Sequence, residues 1–340
     1  MFKNIFFMLF LIITISFFAQ TKNNDIIYVA QWNIENLFDA VDDPEKNDSE
    51  FLPESEKFWT DGKVEVKLNN LAKVINFMND GKGPDIISFE EIENFNMLKR
   101  LAYKLKDHDY IPAHRESPDP RGIDVGLLYD RNIFEIENLY PIKVELPKKN
   151  PTRDILAVTL RHKKTNELIY IYVNHWPSRR GGQEKSEVNR IAAAQTLRAS
   201  VDSVFAKDPN ANIIILGDFN DEPTDFSFTK FLKAKDFDCQ NKNTKSELLN
   251  LAYKKSENKE GSYLFGSQWD MIDQIIISSA LNDGQKIDYV CNSFEVLKPS
   301  FMIIQEGNRK GAALPTYMGN KYVGGFSDHF PVVAKFFIAN

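Results

Sequence analysis

The stretch that most restricts how this chain can fold is Ala211-Asn212-Ile213-Ile214-Ile215-Leu216, followed at once by Gly217-Asp218-Phe219-Asn220-Asp221-Glu222-Pro223. The first part is apolar, rich in β-branched residues and bounded by turn formers, which predicts a buried strand. Where it ends, carboxylate and amide side chains follow in quick succession. Gly217 frees the backbone there. A stiff strand that delivers Asp218 and Asn220 to one point suits a site that must hold charge in place. The same residues also suit an acidic Asx turn on the surface. Taken alone, the stretch leaves both readings open.

Five other places repeat the arrangement of a strand-like run beside polar side chains. They are Trp32-Asn33-Ile34-Glu35-Asn36, Ile87-Ser88-Phe89-Glu90-Glu91, Val173-Asn174-His175-Trp176, Trp269-Asp270-Met271-Ile272-Asp273 and Phe326-Ser327-Asp328-His329-Phe330. Between them, strands are predicted over 24–31, 85–89, 121–129, 155–160, 168–173, 212–217, 271–278, 290–296 and 331–338. Apolar residues at 3- and 4-residue spacings predict helices over 64–78 and 186–205, the second with Ile191, Ala194, Leu197, Val201 and Phe205 inward. A third helix is expected over 94–106, with loops over 39–61 and 305–325. No repeat and no Pro- or Gly/Ser-rich linker divides the 340 residues, so one domain over 24–340 is expected. Strands interspersed with a few helices fit two packed sheets with helices outside.

This set of separated motifs, spanning roughly residues 26 to 338, resembles the endonuclease/exonuclease/phosphatase superfamily, the DNase I-like metal-dependent phosphoesterases, in their secreted bacterial form. The resemblance implies a four-layered α/β sandwich made of two mainly antiparallel sheets flanked by helices. It also implies roles. Asp218 matches the residue that orients or deprotonates the attacking water, and Asn220 one that helps hold phosphate or nucleophile. Asp328 and His329 match the closing Asp-His pair, and Asp273 the acceptor of a hydrogen bond from that His. His175 matches a second His on the scissile phosphate, with Asn174 taking that contact if the register shifts by one. Asn33 matches a first-strand Asn that fixes the metal or its carboxylate ligand. Glu90 stands where the family usually has Gln, which adds negative charge.

Phosphoester hydrolysis needs an oriented nucleophile and stabilised phosphoryl charge. Hard divalent cations supply much of this and prefer oxygen ligands. The chain offers Asn33, Glu91 and Asp328 as metal ligands, so magnesium is expected, with manganese able to substitute. Glu91 has a second reading as the first-turn acid of the following helix. Strand alternation would turn Glu90 away from it and put Asp221 opposite Asp218 and Asn220, as a capping or surface residue. The expected catalytic set is His175, Asp218, Asn220, Asp273 and His329. Asn174, Arg179 and Arg121 are expected at the substrate. His108, His114 and His162 read as surface or structural.

Lys3, the apolar run from Ile5 to Phe18 and the small Ala19 predict a secretory signal over residues 1–19 and a secreted or periplasmic enzyme. Phe17 sits where cleavage usually wants a small residue, so an uncleaved anchor is the alternative. Export permits a disulfide between Cys239 and Cys291, and neither has zinc-site spacing. No Gly-x-Ser-x-Gly elbow and no phosphate-cradling Gly-rich loop is present. A net charge of −6 argues against a tight, non-specific duplex binder. It does not exclude a nuclease, since a bound cation changes the local field. The expected function is metal-dependent cutting of DNA, and of RNA as a further substrate, by a monomer without a stable protein partner. Arg309, Lys310 and Lys321 with Tyr317 and Tyr322 offer a basic, base-stacking wall. The alternative is hydrolysis of a lipid head group or a small phosphorylated metabolite. A non-catalytic binding domain would have lost these polar residues.

Overall fold

Ile213–Leu216 forms a strand buried on both faces, and its alternation reveals the layers. Ile214 and Leu216 point into one core cluster, Ile213 and Ile215 into another. The computed structural model describes residues 25–148, 150–240 and 245–338. The expected signal, residues 1–19, lies outside them.

In chain order, β1 (Asp25–Leu37) leads to α1 (Asp61–Gly81), β2 (Ile86–Ile92), α2 (Phe95–Ala102), β3 (Tyr110–His114), β4 (Asp124–Asp130), β5 (Phe134–Ile142), β6 (Ile155–His162), β7 (Leu168–His175), α3 (Gln183–Phe205) and β8 (Asn212–Asp218). The later chain adds β9 (Ala234–Asp236), β10 (Leu248–Asn250), α4 (Tyr253–Glu257), β11 (Tyr263–Phe265), β12 (Gln268–Asp270), β13 (Asp273–Ser278), β14 (Ile287–Tyr289), β15 (Glu295–Val296), β16 (Tyr317–Met318), β17 (Lys321–Tyr322) and β18 (Val332–Ile338). One sheet runs β14-β18-β1-β2-β4-β3, with β15 paired to β18; the other runs β5-β6-β7-β8-β13-β10-β9. β11–β12 and β16–β17 are separate hairpins.

The sheets face each other through the larger core, where Ile171, Ile214 and Ile275 meet Ile27, Val29 and Ile86. α1 contributes Leu68, Leu71 and Ile75 to that cluster. α3 packs Ala194, Leu197 and Val201 on the outer face of the second sheet, against Ile213, Ile215 and Ile276. This is the expected α/β sandwich of two mixed sheets flanked by helices. Each fully buried Leu, Ile or Val stabilises it by about 1.5–3 kcal/mol, so the residues that interrupt the apolar pattern must have partners.

Several elements differ from expectation. β1 does not stop before Trp32; it runs on through a register shift between Asn33 and Leu37, with Glu35 and Asn36 in left-handed backbone. Of the strand expected over 290–296, only β15 forms; β14 ends just before it at Tyr289, and a turn with Asn292 at φ 62° lies between. Ile191 is only half-buried, and its neighbour Arg190 is fully buried instead. The chain reverses at Lys233, also left-handed, to give β9. Cys239 and Cys291 form a disulfide with Cα atoms 6.0 Å apart. No helix among the described residues is long and apolar enough to cross a membrane.

Candidate active site

Parity and register bring the site together. On β7, Ile169, Ile171 and Val173 face the inter-sheet core, so His175 faces the same way. The same alternation carries Ile214 and Leu216 to Asp218 on β8, and Ile277 and Ile275 to Asp273 on β13. The pairing aligns His175 with Asp218, and Asp218 with Asp273. Three adjacent strands therefore present His, Asp and Asp in a row. Across from them Asn33 donates from Nδ2 to Asp218 Oδ2 at 3.0 Å. Ser327, whose Oγ donates to the Asn33 carbonyl, leads to Asp328 and His329. His329 Nδ1 donates to Asp273 Oδ2 at 2.7 Å.

Gly217 is required for this approach. Its φ is +154°, and a Cβ there would lie 2.1 Å from the Asn174 carbonyl oxygen. After it, Asn220 turns at φ 53° while its backbone N–H donates to Asp218 Oδ1 at 3.0 Å. Both carboxylate oxygens of Asp218 are thus held, one by a side chain of β1 and one by the turn after β8.

These groups open on a cavity of about 790 Å³, lined by Asn33, Glu91, Arg121, His175, Arg179, Asp218, Asn220, Asp328 and His329, with Arg180, Tyr263, Phe265 and Gln268 among its further walls. Asp273 is fully buried behind His329. One expected substrate contact is corrected. Asn174 has the opposite parity on β7, so its side chain turns away from the cavity. There it donates to the carbonyls of Tyr172 and Leu216 and accepts from Trp176 Nε1, with no contact left for phosphate. Arg179 does line the cavity, and its guanidinium also bonds the Asn220 carbonyl, Asp270 and Asp225. Arg121, half-exposed and 3.7 Å from Asp119, and Arg180 are the more available cations. Asp221 is not a surface residue. It is buried, forms an ion pair with Arg190 at 2.5 Å and accepts from Ser227 Oγ. Arg309, Lys310 and Lys321 do not line this cavity. Tyr317 and Tyr322 pack on each other and beneath Lys63.

Glu91 sits in a bulge of β2 with φ 65°, which swings its side chain into the cavity; Oε2 accepts from the Asn36 N–H at 3.0 Å. Glu90 is not turned away from the site. Its carboxyl is buried beneath it, 2.6 Å from Gln31 Nε2, and that nitrogen also reaches Asp273 Oδ1 at 3.0 Å. Gln31 and Ser262, whose Oγ donates to Asp273 Oδ2 at 2.5 Å, escaped the sequence reading. Gln31 was legible as the residue two before Asn33, on the same strand face. Lys67 was missed as well: its Nζ is buried, donates to Thr316 Oγ1 and the Phe326 carbonyl, and lies 3.6 Å from Glu35. Its position between Val64 and Leu71 on the apolar stripe of α1 was the signal.

The buried charges act on one another. Burial raises the Asp218 carboxyl to about 7 against the pull of His329, with the Asp273 charge adding to the rise. Burial and the Asp273 charge push Glu90 well above the usual range. Burial opposes a charge on His329, but Asp273, Asp328 and Asp218 override it and raise the imidazole well above its ordinary value. Burial and the cations Arg153 and Arg121 push His175 well below. Two histidines of one site are therefore driven apart, one towards imidazolium and one towards neutral imidazole.

Two groups of acidic and His side chains among the described residues bring ligand atoms within 4.8 Å of one another: Asp218, Asp273 and His329, and His114, Glu116 and Asp124. In the first, Asp273 is already committed to His329, Ser262 and Gln31. The cavity adds the oxygen donors of Asn33, Glu91 and Asp328, and burial followed by the Glu91 charge raises Asp328. Carboxylates gathered without a thiolate fit a hard divalent cation. In the second group His114 Nε2 and Ser117 Oγ both bond Asp124.

The sequence model of the Endonuclease/Exonuclease/phosphatase family matches residues 28–338. The chain belongs to this family. Its fold and its clustered carboxylates and histidines make it a metal-dependent phosphoesterase. No curated protein sequence matches significantly. Among solved structures it is similar to the human Nocturnin catalytic domain with bound sulfate, at 19% identity, TM-score 0.54, covering 93% of this chain and 98% of that one. It is also similar to truncated Caenorhabditis elegans TDP2, at 16% identity, TM-score 0.54, covering 92% and 97%. The Bacteroides thetaiotaomicron VPI-5482 mannosyl-6-phosphatase matches at 16% identity, TM-score 0.54, covering 91% and 99%. At these identities the likeness is one of fold.

Proposed function

We propose that this protein is an exported, magnesium-dependent phosphodiesterase that acts as a monomer and cuts nucleic acid, DNA first and RNA as a further substrate. The observation that carries this reading is the meeting of Asn33, His175, Asp218 and His329 in one cavity that also holds Arg121 and Arg180. The disulfide supports export, since such bonds persist in oxidising compartments.

A magnesium ion held by Asn33, Glu91 and Asp328, with manganese able to replace it, would offset charge on the phosphoryl oxygens. Asp218, fixed by the Asn33 amide and the Asn220 N–H, takes a proton from the attacking water; a carboxyl raised to about 7 suits a base near neutral pH. The water oxygen bonds phosphorus as the ester P–O bond breaks, and solvent protonates the leaving oxygen. Imidazolium His329, oriented by Asp273, donates to a phosphoryl oxygen. His175 stays neutral and donates from the opposite wall, while Asn220 keeps the turn in place.

A second reading, hydrolysis of a small phosphorylated metabolite, draws on the mannosyl-6-phosphatase that shares this fold. A lipid head group is a third substrate for the same chemistry. One experiment separates them. Metal-stripped protein is offered duplex DNA, single-stranded DNA, RNA, sphingomyelin and a phosphomonoester, with and without Mg2+, beside Asp218→Ala. Magnesium-dependent strand cleavage that disappears in the variant is the expected result. Turnover of only the monoester or the lipid overturns the nuclease reading.

A further inference from the structure

The β11–β12 hairpin is tied to the catalytic pair at its base and reaches the cavity mouth at its tip. Ser262, just before it, donates to Asp273, and the Phe330 N–H donates to the Ser262 carbonyl. The pairing sets Tyr263 opposite Asp270, Leu264 opposite Trp269 and Phe265 opposite Gln268. Alternation therefore gives the hairpin two faces. Leu264 and Trp269 pack on the cluster with Ile304 and Ala312, which anchors the hairpin. The other face carries Tyr263, Phe265 and Gln268 into the catalytic cavity. The Tyr263 ring stacks on His329, centroids 4.6 Å apart at 29°. Phe265 lies two residues further out, about 6.6 Å along the strand.

A single exposed aromatic ring is ordinary on a protein surface. Phe265 is 71% exposed, and among the described residues it alone of the large exposed apolar side chains lines this cavity. Beside it stands the exposed amide of Gln268, a donor and an acceptor. Other walls of the cavity hold Arg121 and Arg180. A flat ring face, an amide at its side and cations elsewhere in the cavity match a planar heterocycle carried on a phosphate chain. A lipid tail against the ring would leave the amide without a use.

We propose that Phe265 and Gln268 form the subsite for a nucleobase flanking the scissile phosphate, Phe265 stacking on its face and Gln268 bonding its edge. The proposal rests on the nuclease reading and deepens it to recognition through bases of an unpaired strand, whose faces are free to stack.

The test uses the full enzyme with Mg2+ on two single-stranded oligonucleotides of equal length. One carries its bases; the other is abasic around a defined phosphate. Phe265→Ala should lower kcat/KM on the base-bearing strand by about 5- to 100-fold, mainly through KM, as expected for one lost aromatic–base stack. It should leave the abasic strand unchanged. Phe265→Trp should restore the difference, and Gln268→Ala should weaken discrimination among bases. Equal loss on both strands, or no loss on either, overturns the subsite while the nuclease reading stands. If wild-type enzyme cuts neither strand nor any other nucleic acid, both fall together.

Discussion

Glu91 is the residue at which local preference and tertiary demand conflict most openly. A branched-free but bulky side chain at φ 65° is disfavoured, and such strain persists where the surroundings hold it. Asn220 and Asn36 adopt similar backbone at less cost, because Asn tolerates it. Glu91→Gly removes strain and carboxylate together. Thermal unfolding should show no more than about 1 kcal/mol of lost stability, while the Mg2+ concentration for half-maximal rate should rise by about tenfold or more. A large loss of stability with unchanged magnesium dependence would instead make Glu91 a structural residue. Arg179 lines the cavity as expected, and there it also pairs with two aspartates.

At the scale of elements, the row His175–Asp218–Asp273 is a property of three paired strands rather than of any one motif. What keeps the β8 turn in register is α3. Arg190, fully buried on that helix, pairs with Asp221, whose other oxygen takes Ser227 at the start of the next helical turn. Removing one partner leaves a buried charge uncompensated, at a cost of about 3–5 kcal/mol. Arg190→Met is therefore expected to destabilise by that amount in denaturant unfolding. The double variant Arg190→Met with Asp221→Leu should recover much of it. If the double variant is as unstable as the single, the pair is not what anchors the turn.

For the whole molecule, the two sheets meet over one core, and the catalytic cavity opens at one end of their strands. The disulfide joins Cys239, after β9, to Cys291, after β14, so it links an edge of one sheet to an edge of the other across 52 residues of sequence. Replacing both cysteines with serine should lower stability by about 2–4 kcal/mol. Activity at low temperature should survive, because neither cysteine lines the catalytic cavity. Equal melting of oxidised and reduced protein would show that this cross-link contributes nothing.

The candidate residues were legible in the sequence because each lies within or beside a strand-like apolar run: Asn33 and Glu91 inside β1 and β2, His175 and Asp218 at the ends of β7 and β8, Asp273 at the start of β13, and the Asp328-His329 pair just before β18. The sandwich followed from the same runs together with the family resemblance. Short-range pattern could not supply partners. Whether Asn174 faced the phosphate or the helix depended on which side of β7 the first sheet packs. Glu90, Gln31 and Lys67 became parts of the site's underside only once β1, β2 and α1 met. Nothing local to Arg190 marks it as buried; its pairing with Asp221 does. Side-chain period is local and is written in the chain; the pairing of buried charges is decided by contacts between elements far apart in sequence, and only the tertiary structure makes them.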